Sequence, residues 1–141
     1  MSNSKIFTAG LVGAIAAFLL GFIIYGNLLM DFFTQNSGSA TGIMRGDDEM
    51  QWIPMILGHV TWGMLFAIIY GRWANISTFA SGAKAGALLG FLIGASFDLI
   101  TLGSTHINNV TATIVDIVVM VVVSAIVGGI VAWFLGRGNE S

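Results

Sequence analysis

Apolar positions along the chain fall in four long blocks, residues 6–29, 53–70, 83–102 and 110–135, separated by short polar connections. A hydrocarbon core of roughly 30 Å is crossed by about 20 apolar residues in helical form, so each block predicts a transmembrane helix. The second block is the shortest, but Trp52 and Trp73 flank it, and aromatic residues at that position anchor helix ends at headgroup level. The fourth is longer than a crossing requires and is expected to tilt or to project beyond the core. The pattern predicts an all-α membrane protein, a four-transmembrane-helix bundle occupying the whole chain, 1–141, as one membrane domain.

Composition sharpens this picture. Of 141 residues, 56% are hydrophobic and 9% charged, with a mean hydropathy of +0.90, far from the roughly 25% charged residues of soluble domains. Almost no sequence is left for a water-facing shell, so the lipid bilayer is the expected solvent and partner. The formal net charge of −2 and the lack of a basic tract imply neither a nucleic-acid partner nor attraction to anionic lipid. With no cysteine, disulfides, thiolate metal sites and thiol catalysis are excluded. No cofactor is implied.

Lys5, Arg72, Lys84 and Arg137 fall at the N-terminus, the second connection and the C-terminus, and Arg45 alone lies in the first connection. Because positive charge concentrates in cytoplasmic connections, both termini are expected inside. Lys5 before the first block and Ser37 to Ala40 after it resemble a secretory leader, but the apolar run exceeds the roughly 7 to 15 residues of a leader's core, so retention is expected.

Small residues reveal an internal duplication. Ala9, Gly13, Ala17 and Gly21 recur every fourth position in the first block, followed by Tyr25; Gly82, Gly86, Gly90 and Gly94 do so in the third, followed by Asp98. His59, Gly63, Ala67 and Gly71 likewise correspond to Ser124, Gly128, Ala132 and Gly136. Two tandem helical hairpins, residues 6–73 and 82–137, each starting and returning inside, would be parallel copies related by a two-fold axis along the membrane normal. Small residues four apart share a helix face and let backbones approach. Gly13, Gly21, Gly86, Gly90, Gly94 and Gly128 are thus expected at helix contacts, either within the chain or between protomers.

Polar groups inside the blocks carry the candidate chemistry, since an ionisable side chain at the bilayer centre costs at least about 2.5 to 3.5 kcal/mol without a partner, a water path or a purpose. Counting about 1.5 Å per residue from the cytoplasmic ends places His59 about 19 Å, Asp98 about 24 Å and Asp116 about 31 Å along their helices. Tyr25 and Asn27 reach a comparable level. One pocket open to the outer face would collect all five, with His106, Asn108 and Asn109 as its rim, and His59 facing Asp98 or Asp116. Such a cluster reads in three ways: a hydrogen-bonded network fixing helix register, a proton or ion relay, or a metal site. No paired-histidine spacing favours the last, so the metal stays unknown.

Other motifs are weaker. Asp47, Asp48 and Glu49 are expected as an acidic cap opening the second helix, where negative charge suits the helix dipole. Pro54 follows early in that helix, where it is tolerated. No Ser-His-Asp order, phosphate loop or acid–base carboxylate pair is present, so catalytic residues are none and an enzyme is not the favoured reading. The stretch from Gly86 to Gly129, with the glycine-rich third helix ending Phe97-Asp98-Leu99, then Thr101, and Asp116 in the next helix, resembles small bacterial four-helix integral membrane proteins of unknown function. The first hairpin, Gly10 to Tyr25, is similar to a second such family in its small-residue pattern only. The resemblance implies a bacterial inner-membrane setting and adds weight to Asp98 and Asp116. The expected function is transport or conduction of a proton or small cation by a homo-oligomer, with the path between protomers. The alternative is a non-catalytic accessory or assembly subunit of a membrane complex, whose polar cluster is structural.

Overall fold

The computed structural model describes residues 1–137. It contains four helices long and apolar enough to cross a membrane: α1 (Asn3–Leu28), α3 (Trp52–Ala74), α4 (Phe79–Ser104) and α5 (Val110–Gly136). A short helix, α2 (Met30–Gln35), follows α1. At 1.5 Å per residue the four run about 35 to 40 Å, more than a hydrocarbon core demands. α3 and α4 extend beyond the blocks read from hydropathy by up to four residues at an end, α1 starts three residues earlier, and α5 matches its block to within one residue. The acidic run differs from expectation. Asp47 to Glu49 form a separate 3₁₀ turn, Met50 is extended, and α3 starts at Trp52 with no acidic residue in its first turn. The carboxylates therefore do not cap α3.

Polar caps mark three of the helix starts. Ser2 accepts from the Lys5 backbone N–H, Thr78 from Ser81 and Asn109 from Ala112, each satisfying an amide that the helix leaves unpaired. α1 and α3 share a different ending, a wide π turn over Ile24–Leu28 and Ile69–Ala74. In α1 the Leu29 N–H donates to the Ile24 carbonyl at 2.8 Å, an i to i+5 bond. In α3 the turn stops at Asn75, whose φ of 50° is left-handed. Asn tolerates that geometry where a residue with a plain Cβ loses about 1 to 2 kcal/mol. Asn75→Ala should therefore lower thermal stability and Asn75→Gly should preserve it; equal melting of the two variants would refute the strain.

α5 is the axis of the molecule. α1 and α3 pack against each other and both against α5, while α4 packs chiefly on α5. Val119, Val123, Val127, Val131 and Leu135 of α5 form the core with Ala9 and Ala17 of α1 and Phe66, Ala67 and Tyr70 of α3. On the α4 side the contact is made largely by glycines, which let α4 approach the α5 backbone and the side chains of Met120, Ser124 and Ala132. Gly82, Gly86, Gly90 and Gly94 are buried along one face, and a Cβ on Gly86 would overlap the Ser124 carbonyl oxygen. Gly63 is set in the same way against the Gly10 carbonyl and the Ala14 amide. Backbone contact of this kind is how helices associate where lipid offers no hydrophobic drive. Of the expected contact glycines, Gly13, Gly86, Gly90, Gly94 and Gly128 are buried against helices of the same chain, and Gly21 is half-buried facing His59. Phe7, Ile15, Leu19 and Phe22 of α1, Leu88, Phe91, Leu92 and Phe97 of α4, and Ile114, Val118 and Val122 of α5 point outward instead, an apolar surface that water would not tolerate.

The ends are tied separately. At one end the Lys5 ammonium donates to the Arg137 carbonyl at 2.6 Å, and the Arg72 guanidinium donates to the Asn3 side chain. This brings the two chain ends and the α3–α4 connection together; it is called the termini end below. At the opposite, loop end the long α1–α3 connection is zipped to the short α4–α5 connection: Ser37 and Asn108 form an antiparallel bridge, and the Gly38 and Ala40 amides donate to the Ile107 and His106 carbonyls at 2.8 and 3.1 Å.

Candidate functional site

Asn109 fixes the start of α5 by capping it, and Asp116 follows two turns further in. The Tyr25 hydroxyl donates to Asp116 Oδ1 at 2.5 Å, tying α1 to α5. Tyr25 belongs to the π turn of α1, and such turns displace side chains from ordinary helical phase. Phe33 of α2 packs on the Tyr25 ring at a centroid distance of 5.5 Å, with Phe32 edge-on to Phe33 at 5.5 Å. The short helix therefore sits against Tyr25 through Phe33, with Phe32 backing Phe33.

Asp98 comes to the same place from α4, close enough to Asp116 for the two carboxyl groups to act on each other electrostatically. Asp98 Oδ2 is nevertheless buried without a donor. Two ionised carboxylates can only accept, so they make no hydrogen bond to each other unless a proton lies between them. The Tyr25 hydroxyl has a single proton, already given to Asp116. Among the described residues no ion pair compensates either carboxylate. Negative charge of this kind in low dielectric is expensive until a proton or cation offsets it.

The five inward candidates do not all converge. Tyr25, Asp98 and Asp116 meet, whereas His59 makes no hydrogen bond to them and shares with Tyr25 only the lining of a groove. Its Nδ1 is 2.8 Å from the Met55 carbonyl and its ring meets Phe18 edge-on at 5.2 Å. The expected pairing of His59 with Asp98 or Asp116 is therefore replaced by the Tyr25 contact. The reason is the seating of α3, whose His59 faces Gly21 in a largely apolar groove of about 400 Å³ bounded by Met55, Gly58 and Trp62. Asn27 is exposed and donates back to the Phe22 carbonyl at 2.9 Å. Of the rim residues, Asn109 is spent on capping α5 and on Asn36, Asn108 is in the bridge to Ser37, and His106 is exposed with its carbonyl holding Ala40. They join the two connections rather than present side chains to the carboxylates. Among the described residues no three His, Asp or Glu groups gather as metal ligands.

Two residues that the sequence reading did not single out as functional carry polar atoms into the interior. Ser124 is fully buried in the α4–α5 seam, and its hydroxyl has no partner. Tyr70 is also fully buried and donates to the Gly82 carbonyl at 2.8 Å, crossing from α3 to α4. The repeat spacing marks position 124 but reads it as one more small residue. Tyr70 carries no signal beyond being a hydroxyl-bearing aromatic near a helix end.

A search for relatives adds nothing to the geometry: no family model, no curated protein and no solved structure matches the chain.

Proposed function

We propose that this protein binds and passes a proton or small cation at the Asp98–Asp116 pair, working as a homo-oligomer in a bacterial inner membrane with both termini in the cytoplasm. One observation carries the reading: the donorless, buried Oδ2 of Asp98 beside Asp116, whose own Oδ1 is already engaged by Tyr25. A carboxyl pair inside an apolar bundle is a place where a cation is taken up because charge must be compensated, and is released when water reaches it. The orientation is supported by Lys5, Arg72 and Arg137 meeting at the termini end, the charge bias expected of a cytoplasmic face. The tandem duplication gains support from two features. The halves are alike in their close contacts, Gly63 on Gly13 and Gly128 on Gly86, which are equivalent pairs in the repeat. The repeat-equivalent residues Tyr25 and Asp98 approach Asp116 together.

The second reading, an accessory subunit with a structural polar cluster, is favoured by the Tyr25–Asp116 bond, which joins α1 to α5 as glue would. Flux separates the two. In proteoliposomes with an imposed proton or sodium gradient, Asp98→Asn should abolish transport while leaving expression and helical content unchanged. Equal flux in wild type, Asp98→Asn and empty vesicles removes the transport reading and leaves the structural one.

A further inference from the structure

We infer that the α4–α5 seam is the route between the carboxyl pair and the termini end, with the Ser124 hydroxyl as its mid-membrane relay. This rests on the proposed transport function and goes beyond it by naming the path and a residue on it. Among the described residues the two buried side-chain oxygens without partners are Asp98 Oδ2 and Ser124 Oγ, and both lie along this one seam, four residues beyond Gly94 and against Gly90 respectively. Ser124 is at the centre of α5, eight residues or about 12 Å along the axis from Asp116. One turn further on, about 6 Å along, the Tyr70 hydroxyl stands against Gly128 and donates to the Gly82 carbonyl. Carboxyl pair, serine and tyrosine thus mark one line from the loop end towards the termini end.

Packing does not account for the serine. A Cβ on Gly90 would lie 2.5 Å from Ser124 Cβ and Oγ, so the site is tight, and alanine would fill it without burying a hydroxyl that has no partner. The next positions on this face, Gly128 and Ala132, are apolar and equally buried. A hydroxyl both accepts and donates. A proton arriving at Oγ therefore leaves as a different proton, and the side chain ends neutral as it began. The closed seam leaves no room for a file of water, so passage requires α4 to shift on α5. The side chains α5 seats on the α4 glycines are short apart from Met120, namely Ser124 and Ala132, so little has to be withdrawn for such a shift.

The test compares three proteins in proteoliposomes under an imposed pH gradient, with carboxyl protonation followed in parallel by infrared difference spectroscopy. Ser124→Ala should reduce proton flux at least tenfold, keep the carboxyl signal of the pair, and melt no lower than wild type. Asp98→Asn should lose both flux and that signal. Wild-type flux in Ser124→Ala, with flux lost in Asp98→Asn, would overturn the seam route and leave the carboxyl site standing. Wild-type flux in Asp98→Asn would instead overturn the carboxyl site, and flux no greater than that of empty vesicles in every protein would overturn the transport function. Should Ser124→Ala fail to fold, Ser124→Gly, which adds no atom to the seam, is read by the same criteria.

Discussion

Replacing Gly86 with leucine is expected to detach α4 from the rest of the bundle, with a loss of about 3 kcal/mol or more, the upper range for overpacking a tight core. A Cβ there would already overlap the Ser124 carbonyl oxygen and lie 3.0 Å from its carbon and 3.3 Å from the Ala125 Cα. These are backbone atoms of a helix, which cannot rotate aside as the end of a side chain would. The whole of α4 would have to withdraw, and since its packing is chiefly with α5, no other large interface would hold it. Leucine at Gly103 is the control. It lies in the same helix, but a Cβ there meets nothing within 4 Å, so the gain in helix propensity is shared by both variants and the packing term alone differs. Steric trapping in bicelles reads the separation of helices directly. Equal stability of the Gly86 and Gly103 variants would mean that the ridge does not hold α4 in place. Withdrawal of α4 would also carry Asp98 away from Asp116, so the Gly86 variant should lose transport along with packing.

The crossings were legible because hydropathy alone decides them: 20 or so apolar residues in a row leave the chain little choice of solvent. The carboxylates were legible from their cost, since Asp98 and Asp116 within apolar blocks demand compensation whatever the fold. Tyr25 was reached through the repeat, which aligned it with Asp98. His59 failed that logic. Depth along a helix is readable at a fixed rise per residue, but the direction a side chain faces depends on how α3 is seated on α1, and Gly63 against Gly10 turns His59 towards Gly21. The π turn that bears Tyr25 leaves no hydrophobic period to detect, because one residue of extra winding changes phase without changing composition. Ser124 escaped for the opposite reason: it fits the four-residue spacing of small residues so well that its hydroxyl was absorbed into a packing motif. The acidic run was misread because a cluster of carboxylates ahead of a helix suggests a cap, whereas Met50 and Gln51 intervene in extended form before Trp52.

Asp116→Asn should raise stability while abolishing transport, a combination that a purely structural cluster would not produce. In the native site Asp116 Oδ1 accepts from Tyr25 and Asp98 Oδ2 has no donor. An asparagine keeps the acceptor for Tyr25 and brings an NH₂ that can donate to the Asp98 oxygen. It also removes one of two adjacent negative charges. A hydrogen bond to a charged group contributes roughly 1.5 to 3 kcal/mol, and after allowance for the partial exposure of both carboxylates a gain of about 1 kcal/mol is expected. Function should move the other way, because the amide satisfies permanently the oxygen that a proton or cation would otherwise visit. If Asp116 serves only to join α1 to α5, the same change conserves the Tyr25 bond and should leave a partner complex intact, with no flux to lose. A fall in stability of Asp116→Asn, measured by steric trapping beside wild type, would show that the two carboxyl groups already share a satisfied hydrogen bond. The site would then be closed to exchange, and the transport reading would lose the observation that supports it.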